Sequence, residues 1–200
     1  MRNSLIAFFL LLFTQITFGE TLKVYKSGVC TTYENPFGEN ITIEGILKSD
    51  SISLSGPVNN TVIKALKEAI RNTTNKTSYI LLIDFTDAVF DDSEKIDLTD
   101  LCDGQSGMKE FRFPKNGLPR TCSLEETFRN CKKLKEIKNL DKIDSISNMS
   151  LAFENCSNLE SIIFSDTKKV LHSSSSSGFS STFSYCRKLK EIKNFDSFII

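Results

Sequence analysis

From about residue 120 onward, apolar and polar positions fall into one recurring phrase. Aligned on Cys131, Cys156 and Cys186, the chain reads LEETFRNCKKLKEI, MSLAFENCSNLESI and FSSTFSYCRKLKEI. The shared pattern is apolar, three residues, Phe, two, Cys, two, Leu, two, Ile. Its anchors are Leu124, Phe128, Cys131, Leu134 and Ile137, then Met149, Phe153, Cys156, Leu159 and Ile162, then Phe179, Phe183, Cys186, Leu189 and Ile192. The cysteines step by 25 and 30 residues, which is why KLKEIKNLD at 133 returns as KLKEIKNFD at 188. Apolar residues at fixed offsets with a period of this size predict a solenoid, because one unit cannot bury its apolar face alone and must stack on its neighbours. Within a unit, Leu124, Phe128 and Cys131 follow the i, i+4, i+7 spacing of a helix face. Ser123 and Glu126 would form a capping box at its start. The Ile and the residue two beyond it alternate inward as a short strand.

The pattern continues upstream in weaker form. Met108 and Phe111 stand where later units have Leu and Ile, and Ile83 with Phe85 stands one unit earlier. Asn139 and Asn194 depart from it, each occupying the place of the second inward apolar residue, and the stretch around HSSSSSG lengthens the approach to the third unit. Before the repeats, Val62, Leu66, Ala69 and Ile70 mark one face of a helix that Asn60 and Thr61 would cap, with Gly56 and Pro57 as punctuation. The expected organisation is a leader over 1–19, an N-terminal cap segment over 20–77 and repeats over 78–200. The expected fold class is α/β: short parallel strands in a solenoid, closed at its start by an α/β cap.

The first twenty residues, MRNSLIAFFLLLFTQITFGE, place Arg2 before an apolar run that ends near Gly19. This is the form of a secretory signal peptide, and it is too short to prefer spanning a bilayer. No second long apolar run follows, so the mature chain is expected to be exported without a membrane span. Lysine plus arginine and aspartate plus glutamate each number 25, so no global field argues for nucleic acid or an anionic membrane surface. The charge is uneven, however. Residues 84–103 hold Asp84, Asp87, Asp91, Asp92, Glu94, Asp97, Asp100 and Asp103 against Lys95 alone.

The F-x-x-C-x-x-L-x-x-I units, with SISNMSLAFENCSNL in the middle one, resemble the BspA-type leucine-rich repeats of bacterial surface proteins, which also occur in some protist parasites. The likeness covers roughly residues 80–200. Upstream, ENITIEGILKSD, VIKALKEAIRN and SYILLIDFTDA look like the segment that spirochaete members place ahead of their repeats. The resemblance implies a leucine-rich-repeat solenoid, a surface location and binding rather than catalysis, with a host matrix or cell-surface protein as the class of partner.

Candidate chemistry is sparse. The repeat cysteines are expected as buried free thiols among Phe and Leu, and paired C-x-x-C units that would hold zinc are absent. Cys102 and Cys122 flank a loop that a disulfide would close, with Cys30 as a competitor. His172, the one histidine, lies in VLHSSSSSG, so a histidine-based triad has no base in a defined setting. Asp97, Asp100 and Asp103 before Gly104 are a calcium candidate without the EF-hand spacing, and otherwise solvated loop acids. No cofactor is called for. N-x-[ST] triplets at Asn40, Asn59, Asn72, Asn75, Asn148 and Asn155 would be acceptors only in a eukaryotic secretory path.

The strand faces carry the functional expectation. If Phe111, Ile137, Ile162 and Ile192 point inward, the following residues point out as the column Asp84, Arg112, Lys138, Ile163 and Lys193. Glu110, Glu136, Ser161 and Glu191 form its neighbour. Repeated strands of this kind bind large or extended partners by many small contacts. The competing reading is a face whose acids and bases neutralise one another. The favoured function is a non-enzymatic exported binding protein contacting a protein ligand, and the alternatives are a periplasmic structural protein or a hydrolase built on the acidic stretch. The third unit ends in NFDSFII without a polar segment beyond it, a pattern that predicts truncation or end-to-end association.

Overall fold

The computed structural model describes residues 21–26, 29–34, 42–43, 51–72, 80–166, 169–171, 178–195 and 198–199. The leader, His172 with its serine run, and the triplets at Asn40 and Asn75 lie outside the described residues.

Among the described residues the architecture is one α-helix, a short 3-10 turn at Leu140–Lys142 and many short strands. β1 (Leu22–Lys26), β2 (Val29–Tyr33) and β3 (Ser51–Val58) open the chain as an antiparallel group with β1 in the middle. Helix α1 (Asn60–Asn72) follows, burying Val62, Ile63, Ala65, Leu66, Ala69 and Ile70. Its cap is one residue earlier than the sequence suggested. The Asn59 side-chain oxygen accepts from the Val62 N–H at 3.0 Å, which satisfies one of the orphan donors of the first turn. Asn60 turns elsewhere, donating to the Lys95 carbonyl and accepting from the Asp97 N–H.

Beyond α1 all strand pairing among the described residues is parallel. β4 (Leu82–Phe90) pairs with β3 and with β6 (Glu110–Arg112), and β6 pairs with β8 (Glu136–Lys138), completing a six-stranded sheet. β10 (Ser161–Ile163) and β12 (Glu191–Lys193) form a parallel pair of their own. A third sheet runs in the order β13 (Phe198–Ile199), β11 (Lys169–Leu171), β9 (Ser145–Asn148), β7 (Cys122–Ser123), β5 (Ile96–Asp97), also parallel throughout.

The segment between the two strands of a unit is not a helix. Residues 125–130, 150–155 and 178–185 are turns. Alternate N–H groups leave the unit altogether: Leu124, Glu126, Phe128 and Asn130 donate to the carbonyls of Asn148, Ser150, Ala152 and Glu154 in the next unit. Met149, Leu151, Phe153 and Asn155 donate likewise to Gly178, Ser180, Thr182 and Ser184. Bonds that an isolated helix would make inside itself are here made between units. The geometry needs a left-handed residue at two places per turn, and these are Glu126, Leu151 and Ser181 at one, and Asn130, Asn155 and Tyr185 at the other, with φ between 52° and 62°. Glu126 therefore cannot serve as the third residue of a capping box.

The same bonds complete the weaker upstream unit that Met108 and Phe111 marked in the sequence. Leu98, Asp100, Cys102 and Gly104 donate to Ser123, Glu125, Thr127 and Arg129. That sets Leu98, Cys102, Gln105, Met108 and Phe111 beside Leu124, Phe128, Cys131, Leu134 and Ile137. Cys102 occupies the Phe position and Gln105 the Cys position. Gln105 is buried, and its side-chain oxygen accepts from the Ile80 N–H at 2.9 Å.

The core follows the turns. Phe128, Phe153 and Phe183 stack face to face, with centroids 5.3 and 5.5 Å apart and planes 9° and 2° from parallel. At the end where Cys102 replaces the ring, Phe111 closes edge-on to Phe128 with centroids 4.9 Å apart. Asn139 and Asn194 fill the place of an inward apolar residue by a different device. Both are left-handed, and their side-chain amides donate to the Phe113 and Phe164 carbonyls at 2.8 and 2.9 Å. The turn lets the next residue take the apolar role: Leu140 is buried, and Phe195 packs on Phe164, Phe179 and Phe183.

Candidate functional site

The strand registers align the charged side chains in two columns. Asp84 lies beside Arg112 and Arg112 beside Lys138, while Leu82, Glu110 and Glu136 form the neighbouring column. In the separate pair, Ser161 lies beside Glu191 and Ile163 beside Lys193. β8 and β10 belong to different sheets, so the two groups of residues share no continuous ladder.

The first group is a single network. Arg112 donates through Nη1 to Asp84 at 2.8 Å and through Nε to Glu110 at 2.6 Å. Lys138 Nζ lies 3.1 Å from Glu110 and 3.8 Å from Glu136. The Arg112 hydrogen bond, with Lys138 behind it, holds Glu110 below the usual carboxylate range. Glu110 in turn raises the Arg112 guanidinium further. All five side chains remain partly in water, so each link is worth at most about 1 kcal/mol. Their effect is on geometry: the guanidinium fork is already engaged by two carboxylates, so an incoming acid has to displace one of them. In the second group, Lys193 reaches Glu191 on its own strand at 3.5 Å. Ser161 and Ile163 lie between the two charged groups in sequence order and carry no charge, and Ile163 is 47% exposed.

The acidic stretch has a structural explanation. Lys67 of α1 lies 3.9 Å from Asp97, and Arg71 donates to Asp100 at 2.8 Å. Asp103 accepts a two-pronged bond from Arg129 and a third from Asn130. Burial works to raise Asp97, but bonds from Thr99 and the neighbouring Lys67 and Lys95 outweigh it and leave its acid below the ordinary value. Asp97, Asp100 and Asp103 therefore answer three different sets of partners, and among the described residues no group of His, Cys, Asp or Glu converges as a metal cage.

None of the six cysteines is in a disulfide. Cys102 and Cys122 are both buried thiols, not the closure of a loop. Each repeat cysteine donates its S–H across the unit boundary: Cys131 to the Cys102 carbonyl at 3.1 Å, Cys156 to that of Phe128 at 3.0 Å, and Cys186 to that of Phe153 at 3.0 Å. Burial pushes the thiols of Cys102, Cys131 and Cys156 far up, and that of half-buried Cys186 to about 11. A thiol so far from ionising is a poor nucleophile.

Sequence reasoning missed a second polar chain, on the turns. Asn155 donates to Asn130 at 3.0 Å, and Asn130 donates to Asp103 at 3.3 Å. Its signal was present as the Asn two residues after Phe128 and Phe153. This bond also engages the Asn155 amide nitrogen, the atom a glycan would need.

Among the described residues no helix is long and apolar enough to cross a membrane. No family model matches the chain, and neither a curated protein nor a solved structure matches it.

Proposed function

We propose that the chain is an exported, non-enzymatic binding protein of the leucine-rich-repeat solenoid class, related to the BspA-type surface proteins, that contacts a protein partner through its strand face. What supports this reading is the in-register display of Glu110, Arg112, Glu136 and Lys138 on neighbouring parallel strands, with an exposed Ile163 beside Lys193 further along. An apolar centre with a polar rim is the usual anatomy of a protein contact. The rim charges are largely matched among themselves, so they set register and exclude wrong partners, while Ile163 and Ser161 supply the desolvated contact. The partner class that the repeat resemblance implies is a host matrix or neighbouring cell-surface protein, reached by an exported chain.

The experiment is a capture assay with immobilised chain lacking the leader, offered purified matrix and serum proteins. Ile163→Asp and Lys138→Glu with Lys193→Glu are compared with the unaltered protein, all checked for equal unfolding midpoints. The reading expects one partner to be retained by the unaltered chain and lost at least tenfold by Ile163→Asp, a loss of about 1.4 kcal/mol or more. Equal retention by the face variants at equal stability overturns it.

A further inference from the structure

Between its turn and its inner strand, each unit passes through a short linking segment of the same conformation, at 106–109, 132–135, 157–160 and 187–190. These read SGMK, KKLK, SNLE and RKLK. Consecutive segments are joined directly. The Lys133 and Lys135 N–H groups donate to the Ser106 and Lys109 carbonyls at 3.2 and 2.9 Å, and the Lys190 N–H donates to the Glu160 carbonyl at 2.9 Å. The Ser157 and Asn158 side chains donate to the Lys132 carbonyl at 3.3 and 2.8 Å. All seven lysine and arginine side chains of this edge are exposed, and Glu160 is its single acid, 3.5 Å from Lys190. Among the described residues Lys109, Lys132, Lys135, Arg187 and Lys188 make no ion pair. On the strand face an acid separates the bases, as Glu110 does for Arg112 and Lys138. Here Lys135 lies beside Lys109 with no acid between them, and like charges on neighbouring strands repel. The zero net charge of the chain therefore conceals a local positive potential.

We infer that this edge binds a sulfated polysaccharide, a linear polyanion laid across the four linking segments. The third segment selects the class. SNLE interrupts the cations with Ser157 and Asn158, which are partly exposed and each keep a side-chain oxygen able to accept from a hydroxyl. Cations thus alternate with neutral hydrogen-bonding groups. A sulfated polysaccharide alternates anionic groups with hydroxyls in the same way, whereas a nucleic acid presents an unbroken row of phosphates. The four segments also hold no aromatic side chain on which bases could stack. Their apolar residues, Met108, Leu134, Leu159 and Leu189, pack on the core and leave nothing to insert into a membrane surface. The edge is distinct from the strand face, and the inference does not depend on a protein partner for that face.

The probe is heparin, titrated calorimetrically into the chain lacking the leader at about 0.15 M salt and at several higher concentrations. One variant combines Lys132→Gln, Lys135→Gln and Lys188→Gln. The control combines Lys23→Gln, Lys64→Gln and Lys115→Gln, which are exposed, lie off this edge and remove the same net charge. Both are first matched to the unaltered chain in unfolding midpoint. The expected result is heparin binding that the edge variant weakens at least about tenfold, with a shallower dependence on salt, and that the control retains. Desulfated heparin is expected to bind at least about tenfold less tightly than heparin. Equal loss in the two variants overturns the edge, as does no heparin binding at about 0.05 M salt. Single-stranded DNA of matched charge and phosphatidylserine vesicles are titrated alongside. Either one binding as tightly as heparin overturns the polysaccharide as the ligand.

Discussion

The Cys156 thiol donates to the Phe128 carbonyl at 3.0 Å, across the boundary between two units. Cys131 and Cys186 repeat the contact on Cys102 and Phe153. The invariant cysteine of the phrase is thus a small buried donor with an assigned acceptor, and its repetition follows from repetition of the turn.

Thiol labelling should follow that geometry. Cys30 is exposed on β2, Cys186 is half-buried, and Cys131 and Cys156 are buried. Under native conditions Cys30 is expected to alkylate first and Cys186 slowly, with Cys131 and Cys156 reacting only after unfolding. Mass mapping after a timed pulse reads the order, and Cys131 reacting as fast as Cys30 would contradict it.

The same burial sets a pH dependence. An unfolded thiol ionises near about 8.5, whereas Cys102, Cys131 and Cys156 stay protonated well beyond that when folded. Above that pH the unfolded state binds fewer protons than the native one, so stability falls as pH rises, by up to about 1.4 kcal/mol per pH unit for each buried thiol. Below about pH 8 these groups add no slope. Urea unfolding at neutral and alkaline pH checks this, and Cys131→Ala should reduce the alkaline loss; an unchanged slope in that variant refutes the assignment.

Asn139 should be replaceable by glycine more cheaply than by alanine. Alanine loses the bond to the Phe113 carbonyl and adds the strain of a left-handed φ of 61°, about 2 to 3 kcal/mol together. Glycine loses only the bond and the rigidity, about 1 kcal/mol. The measurement is denaturant unfolding of both variants, and the reverse order would show that the turn does not constrain this position.

The anchors Phe128, Cys131, Leu134 and their counterparts were legible because burial in parallel units requires apolar residues at constant offsets. The turn conformation was not. Leu124, Phe128 and Cys131 satisfy the spacing of a helix face, and only the left-handed residues at 126 and 130 distinguish the actual path, with Asn130 and Asn155 as the visible trace. The unit beginning at Leu98 was legible only in its second half, through Met108 and Phe111, because in its first half Cys102 and Gln105 take the places of Phe and Cys. Both substitutions answer local surroundings: Phe111 fills the ring's space, and Gln105 supplies the acceptor for Ile80. The charged columns were readable from strand alternation, but the pairing of Arg112 with both Asp84 and Glu110 depends on side-chain reach that spacing does not reveal. The acids at 97, 100 and 103 looked like a cluster in sequence, and α1 with Arg129 divides them among separate cations.

The stacking of units rests most heavily on Phe153, whose ring lies between Phe128 and Phe183 and is fully buried. Equilibrium denaturant unfolding of Phe153→Ala is the most direct measurement of it. A stack of mutually dependent units predicts a loss of about 3 to 5 kcal/mol, since the cavity is walled by rings on both faces. A loss under about 1 kcal/mol, smaller than that of ordinary core truncations, would contradict the account.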